Sequence, residues 1–489
     1  MSLHLYNTYT RQVEPFSPIN APFVGIYICG PTVYGNPHLG HVRGPVVFDV
    51  LHRYLTHLNY KVRLVRNITD VGHLVDDADD GEDKIAKKAK LDSLEPMEIA
   101  QFYTNSYNAM LLDLNIKPAS IVPLASGHII EQIEMIQTII DKGLAYEVNG
   151  SVYFDVIKYS SNHDYGKLSG RKIEDLIAGA GNQARTLEGQ DEKKNPNDFA
   201  LWKKAGPEHI MQWQSPWSKG FPGWHIECSA MSKKYLGEQF DIHGGGMDLL
   251  FPHHESEIAQ SSACSGINPA KYWVHHNMIT VNGQKMAKSL NNGIGVTEMF
   301  TGNHPLLDKA YSAMTLKFFV LMAHYRGTLD FSNEALQAAE KGLSRLFSTL
   351  KTFDKVKPSP ESSKNIDNMI QQSYDALNDD LNTPILISKL FDITSFINSV
   401  MIGNQKIAEQ DLNKLRNAFK LFLFDVLGLI EEQSSNNEQV NHLMNLILEL
   451  RKESKANKNF ELSDKIRKGL TDAGIEIKDT REGTEWQII

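Results

Sequence analysis

A chain of 489 residues that is 41% hydrophobic and 22% charged has material for two or three domains with buried cores, and its apolar content excludes a disordered protein. The formal net charge of −9 argues against wholesale coating of nucleic acid, although a local basic face can still bind RNA. The opening MSLHLYNTYTRQVEPF has no leader pattern, and no stretch reads as long and apolar enough to span a bilayer, so a cytoplasmic protein without a membrane partner is expected. Cysteines at 29, 228 and 264 do not make a disulfide framework and point to metal binding or plain burial.

The β-rich run Phe23, Val24, Ile26, Tyr27, Ile28 leads into the turn CGPTVYGNPHLGH (29–41), after which Val42, Val46, Val47, Val50, Leu51, Tyr54, Leu55 and Leu58 recur at helical spacing. A second β run over 61–70 completes a βαβ unit. Its crossover should be right-handed, with a ligand crevice at the carboxyl ends of the strands and a helix N-terminus facing phosphates. Gly40 removes a Cβ where a nucleotide could approach the backbone, and His38 and His41 bracket it with imidazoles able to donate to phosphate oxygens. Thr69 and Asp70 end the second strand within reach of the crevice. The acidic run Asp76 to Asp83 fails as a calcium loop, because Ala78 and Lys87 occupy ligand positions, and reads as a solvated insertion near the rim.

Helical spacing covers 94–114 and 127–142, with Gly143 as the stop, and Asn149-Gly150 between two β-rich runs marks a hairpin. Such inserted material would form a lid or a platform for the acceptor strand, and the polar loop 181–198 is expected to be mobile. Pro222 and Gly223 break the chain before a helix that carries Trp224, Cys228 and Met231 on one face. FDIHGGG reads as a short strand entering a glycine-rich loop open to a ligand. In the helix after it, His253 and Glu257 share a face while His254 and Glu255 point elsewhere. A hairpin over 280–284 precedes KMAKS (285–289). Beyond Tyr311 the pattern is helical, with segments at 316–322 and 335–350, a connector at 358–363, and Thr383 as an N-cap followed by Pro384. After a linker at 431–439, Arg451, Lys452, Lys455, Lys458, Lys465, Arg467 and Lys468 lie along helices before the closing GIEIKDTREGTEW.

His38 to His41 resembles the HIGH signature of class I aminoacyl-tRNA synthetases, and Lys285 to Ser289 resembles their KMSKS signature, in the chain order that family requires. GWHIECSAM, DIHGGGMDLLFPHHESEIAQ and KMAKSLNN, together with Cys29, Cys228, His253 and Glu257, are similar to the cysteinyl-tRNA synthetase pattern, and the likeness runs from Tyr27 to Trp486. The resemblance implies an α/β fold. Its parts are a Rossmann-like parallel-sheet catalytic domain over 1–310 with a β-containing insertion at about 115–210, an α-helical stem-contact and anticodon-binding bundle over 311–430, and a small C-terminal anticodon-recognition module over 440–489. It implies a cysteine–tRNA ligase that forms cysteinyl-adenylate and pyrophosphate from L-cysteine and ATP, then transfers cysteine to the 3′ end of tRNA(Cys). A monomer is expected. The rival readings are an adenylate-forming cysteine ligase with an amino-sugar acceptor and a non-enzymatic tRNA-binding paralogue that kept the fold and lost the chemistry, against which His38, His41 and Lys288 argue.

The resemblance also assigns residues. One Zn2+ per subunit would be held by Cys29, Cys228, His253 and Glu257, and two thiolates, an imidazole and a carboxylate suit that ion. His38, His41, Lys285 and Lys288 would stabilise charge on the phosphates, with Mg2+ on the ATP; Gly40, Lys288 and Ser289 would bind the nucleotide; Thr69, Trp224 and His243 would surround the amino acid. Ala287 stands where the signature has serine, and Cys264 has no partner in the pattern. Trp486 offers an aromatic face for an unstacked base.

Overall fold

The computed structural model describes residues 2–71, 85, 88–89, 94–172, 192–207, 209–286, 292–432, 437–457, 459–480 and 483–488. The acidic run at 76–83, most of the loop expected to be mobile (181–191), and Ala287, Lys288 and Ser289 lie outside them. The chain divides into two compact units, Met1–Ile430 and Glu431–Ile489.

In the first unit, strands β1 (Phe23–Ile28), β2 (Lys61–Arg66), β3 (Phe240–Gly246) and β4 (Ala270–His276) form a parallel sheet in the order β4-β3-β1-β2. Helix α1 (Gly40–His57) connects β1 to β2 and buries Val42, Val46, Phe48, Val50, Leu51 and Tyr54. The period-2 and period-3.6 patterns of the sequence meet here in one βαβ unit, whose carboxyl strand ends form the crevice. All of FDIHGGG is buried strand, which corrects the reading of its glycines as a loop, although Gly245 and Gly246 at its end do border the cavity. A Cβ on Gly244 would lie 2.2 Å from the Phe48 ring, and one on Gly245 would lie 2.6 Å from the His254 ring. The glycines let protein side chains close onto the strand.

Between β2 and β3 come helix α2 (Pro96–Asp113), a helix over Ile129–Asp141, and an antiparallel sheet that starts with the Asn149-Gly150 hairpin. Both turn residues have positive φ, 54° and 88°, as a two-residue hairpin of this type requires. The sheet also takes Trp213–Gln214 and Lys219–Pro222, so it extends past residue 210 and delivers the chain directly into helix α3 (Trp224–Leu236). Helix α4 (Glu255–Ser265) leads into β4.

Helices over Ala313–Leu321, Asn333–Lys355, Ile366–Asn378, Thr383–Met401 and Glu409–Lys420 follow. Thr383–Met401 is long and apolar enough by composition to cross a membrane, contrary to the sequence expectation; Leu386, Ile387, Leu390, Ile393, Phe396 and Ile397 are buried within this unit. Its cap is Asn382, whose side chain accepts the Ile385 N–H, because Thr383 Oγ1 instead donates to the Leu321 carbonyl at 2.7 Å.

A buried ionic node joins these helices to α1. Asp49 Oδ2 accepts from Arg53 Nε at 2.8 Å and from Lys317 Nζ at 2.9 Å. Lys317 also donates to the carbonyl of Gly428 at 3.0 Å, and Arg53 to that of Asn115 at 2.7 Å.

The second unit contains helices over Asn437–Ala456 and Phe460–Asp472 and the hairpin Ile475–Thr480 with Gly483–Ile488. Its core is Met444, Leu470 and Ile477, with Ile466 and Trp486 packed beside it. Trp486 is thus half-buried in its own unit, and Arg451 is 4% exposed, so of the basic run it alone among the described residues faces inward; Lys452, Lys455, Lys465, Arg467 and Lys468 are exposed, and Lys458 lies outside the described residues.

Candidate functional site

A cavity of about 370 Å3 opens at the carboxyl ends of the strands, bordered by Cys29, Thr32, Gly40, His41, Trp224, Gly246 and Asp248. At the start of α1, His38 Nδ1 accepts the Gly40 N–H at 3.1 Å, and His41 Nδ1 accepts the His38 N–H at 3.1 Å. A backbone N–H can only donate, so both imidazoles carry any single proton on Nε2 and are donors there. Burial, with His38 beside it, pushes His41 down to about 3, which keeps it neutral at physiological pH. A Cβ on Gly40 would sit 2.9 Å from the His38 ring and 3.1 Å from Met286 Cε, so this glycine admits those side chains as well as bordering the cavity.

Cys29, Cys228, His253 and Glu257 converge beneath Trp224: each offers one ligand atom, and these atoms lie within 4.8 Å of one another. Cys29 comes from the end of β1, Cys228 from the second turn of α3, and His253 and Glu257 from the entry and first turn of α4. Cys29 Sγ is 3.8 Å from Cys228 Sγ and 3.7 Å from Glu257 Oε1, and His253 Nε2 is 3.2 Å from the same oxygen. Burial, reinforced by Cys228, raises the Cys29 thiol well above its ordinary range, whereas the hydrogen bond from Cys29 brings Cys228 down to about 6. Burial opposes a charge on His253, but Cys228 and Glu257 outweigh it and lift the imidazole to about 10. Burial likewise opposes ionisation of Glu257, and His243 and His253 overcome it, bringing the carboxyl to about 2.

Around this cluster lies a layer of histidines. His243 Nε2 is 2.9 Å from Glu257 Oε2, His225 Nδ1 is 3.0 Å from His253 Nδ1, and His254 Nδ1 is 2.8 Å from His275 Nε2. His254 does not point elsewhere, as helical spacing required. Its Nε2 is 3.3 Å from Cys29 Sγ, because Phe251 is extended (φ −141°, ψ 131°) and the wide turn Leu250–His254 carries both histidines inward. Adjacent histidines at a proline were the available signal; His225 and His275 had none.

Trp224 borders the cavity, and its ring lies tilted against that of His253 with centroids 4.4 Å apart. Two other residues expected around the amino acid sit deeper. His243 is fully buried behind Glu257, and Thr69 is 2% exposed with its hydroxyl donating to Glu227 Oε2 at 3.0 Å. Asp70 accepts from the Ser126 amide at 2.9 Å and supports the turn before Ile129–Asp141. Lys285 is exposed on a short strand, Gln284–Lys285, and Lys288 and Ser289 lie outside the described residues. Cys264 Sγ donates to the Met135 carbonyl at 3.7 Å, and burial raises its thiol to about 11.

The class I (C) tRNA synthetase catalytic-domain model matches residues 15–341, and a DALR-domain model matches 372–431. The chain is 57% identical over 491 residues to a cysteine–tRNA ligase of Bacteroides thetaiotaomicron, with 99% of each chain covered. The chain belongs to the cysteine–tRNA ligase family. Another member, from Parabacteroides distasonis, is 59% identical over 489 residues and also covers 99% of both chains. In fold, the chain is similar to Mycobacterium tuberculosis methionyl-tRNA synthetase bound by methionyl-adenylate (TM-score 0.56, 13% identity, 83% of this chain and 92% of that one). The class I catalytic fold and the DALR helical region follow from these matches together with the parallel sheet.

Proposed function

We propose that this chain activates L-cysteine with ATP and transfers it to tRNA(Cys), and that Cys29, Cys228, His253 and Glu257 hold the zinc that selects cysteine. The convergence of those four donors carries the reading. With bonds of about 2.3 Å to sulfur and about 2.1 Å to nitrogen and oxygen, a tetrahedral zinc has edges of about 3.8 Å (S···S), about 3.6 Å (S···O) and about 3.4 Å (N···O). The corresponding separations are 3.8, 3.7 and 3.2 Å. When bound, zinc would take the substrate thiolate as a ligand, an interaction that serine and alanine cannot match.

The remaining work falls to this chain's own groups. Substrate carboxylate attacks the α-phosphorus of ATP and pyrophosphate leaves, so the protein has to position reactants and stabilise phosphate charge. His38 and His41, with Nε2 as donor, and Lys285 and Lys288 supply that stabilisation beside Mg2+-ATP; Gly40 and Ser289 complete the nucleotide contacts. Trp224 walls the amino-acid pocket. His243 and Thr69 act from behind it, His243 by fixing Glu257. Residues 311–430 contact the tRNA stem and anticodon, with 440–489 as an accessory module. The amino-sugar rival finds no support, since the DALR match and the full-length relatives place this chain among proteins that share its C-terminal region.

Cysteine-dependent ATP–pyrophosphate exchange, run beside serine and alanine with zinc measured in the same sample, tests this. The expected result is exchange with cysteine alone and one zinc per chain. Exchange with serine at a comparable rate, or metal-free protein that still selects cysteine, would overturn it.

A further inference from the structure

The cavity does not end at the phosphate-binding start of α1. Asp49 and His52 also line it, and they lie roughly 14 and 18 Å along the helix axis from Gly40 at about 1.5 Å rise per residue. This inner arm passes between α1 and α2 over the sheet, and its walls are Phe48, Leu64, Arg66, Tyr107, Ile116 and Lys117.

Arg66 is the last residue of β2 and is held by backbone pairing to Ile28 and Ile121. It is 7% exposed, and its Nε has no hydrogen-bond partner among the described residues. Its guanidinium sits 5.5 Å from the Tyr107 ring, a contact with a π face that gives the Nε–H no acceptor. A buried N–H donor without an acceptor is costly, and an anion that accepts from it recovers that cost. Two carboxylates share the cavity. Asp49 is already occupied by Arg53, Lys317 and the Lys117 amide, and Asp248 lies at the opposite end, beside Gly246. Among the described residues, the inner arm therefore presents positive charge from Arg66 and Lys117 with no carboxylate paired to either side chain, and with His52 as a further donor, against apolar walls. Helix positions separate it from the zinc ligands and from His41.

We propose that the inner arm is a second anion subsite, taking a phosphate group on Arg66 and Lys117 while the catalytic end of the cavity is filled. Arginine fits because its planar fork donates in pairs to phosphate oxygens. The phosphate could be free or part of a polynucleotide backbone.

The test uses the full-length, metal-loaded protein saturated with a non-hydrolysable cysteinyl-adenylate analogue. Binding of the analogue is scored separately by its own thermal shift, so a failed functional reading shows there and not in the phosphate arm. Inorganic phosphate and a cytidine–adenosine dinucleotide are then titrated in parallel by calorimetry and 31P line broadening. Saturable binding of at least one is expected. Arg66→Met should weaken it by roughly 10-fold or more, and Lys117→Met, at a half-exposed position that spares the sheet, by a smaller factor. Tighter binding of the dinucleotide identifies a polynucleotide phosphate as the ligand, and tighter binding of inorganic phosphate a free anion. No saturable binding of either, displacement of both by the analogue, or unchanged affinity in folded Arg66→Met and Lys117→Met overturns the subsite.

Discussion

Two buried polar clusters flank α1, and they differ in how their charges are balanced. At Asp49, Arg53 and Lys317, one carboxylate meets two cations, and the surplus donors end on the carbonyls of Asn115 and Gly428. At Cys29, Cys228, His253 and Glu257, four groups able to ligate a metal converge, with His225 and His243 bonded to the outer sides of His253 and Glu257. The first cluster is complete as protein, because each donor has an acceptor and the node ties α1 to the helices that follow. The second gathers metal-ligating groups about one point, and a cation at its centre would complete it. Burial and charge alone do not distinguish a structural node from a site; the balance of donors and acceptors does.

Removing a ligand from the incomplete cluster should have the largest effect. Cys228→Ser is expected to abolish tight metal binding and cysteine-dependent exchange while leaving the circular dichroism spectrum unchanged, and elemental analysis checks it. Retention of one zinc would return that cluster to the structural class. In the complete node the cost is stability and not activity. Asp49→Asn leaves Arg53 and Lys317 buried together without their carboxylate and should cost roughly 3–5 kcal/mol of unfolding free energy. Lys317→Met leaves Asp49 with Arg53 and the Lys117 amide and should cost less, about 1–3 kcal/mol. Urea melts of both variants decide the order.

Much of the site was legible because its signals are local. The change from period 2 to period 3.6 at Cys29–His41 marked the βαβ unit, and the i, i+4 spacing of His253 and Glu257 put both donors on one face. What escaped was non-local or irregular. His254 turns inward because the backbone at Phe251 is extended, which no helical wheel anticipates. Asp49 and Lys317 are 268 residues apart, so only a lone lysine within the apolar AMTLKFFVL could have hinted at a buried partner. Arg451 belonged to a basic run whose spacing did not reveal which member faces inward, and it is buried. The KMAKS loop was the clearest motif downstream, yet its last three residues fall outside the described structure, so Lys288 rests on sequence alone.

A smaller effect is expected one layer out from the incomplete cluster. His243→Gln removes the imidazole that fixes Glu257 Oε2, and metal affinity should fall by roughly 10–100-fold. Competition with a chromogenic chelator measures it, and the fall should be smaller than in Cys228→Ser. An unchanged affinity would mean that Glu257 needs no orienting partner.

The finest distinction concerns the sign of a pH dependence in the complete node. Burial outweighs Asp49 and lowers the Lys317 ammonium from 10.5 to about 8, with Arg53 adding to the decrease. Below about 8 the lysine is protonated in both folded and unfolded chains, and the full penalty of burying its charge is present. Between about 8 and 10.5 the unfolded chain binds more protons, so this group makes stability rise with pH, and above 10.5 the penalty is gone. Other lysines and the tyrosines contribute equally to wild type and Lys317→Met, so subtracting the two unfolding free energies isolates the node. That difference, in favour of wild type, should widen from pH 8 to pH 10. A difference that shrinks instead would mean that the attraction of Asp49 exceeds the burial cost, and that the Lys317–Asp49 pair is a net electrostatic attraction in place.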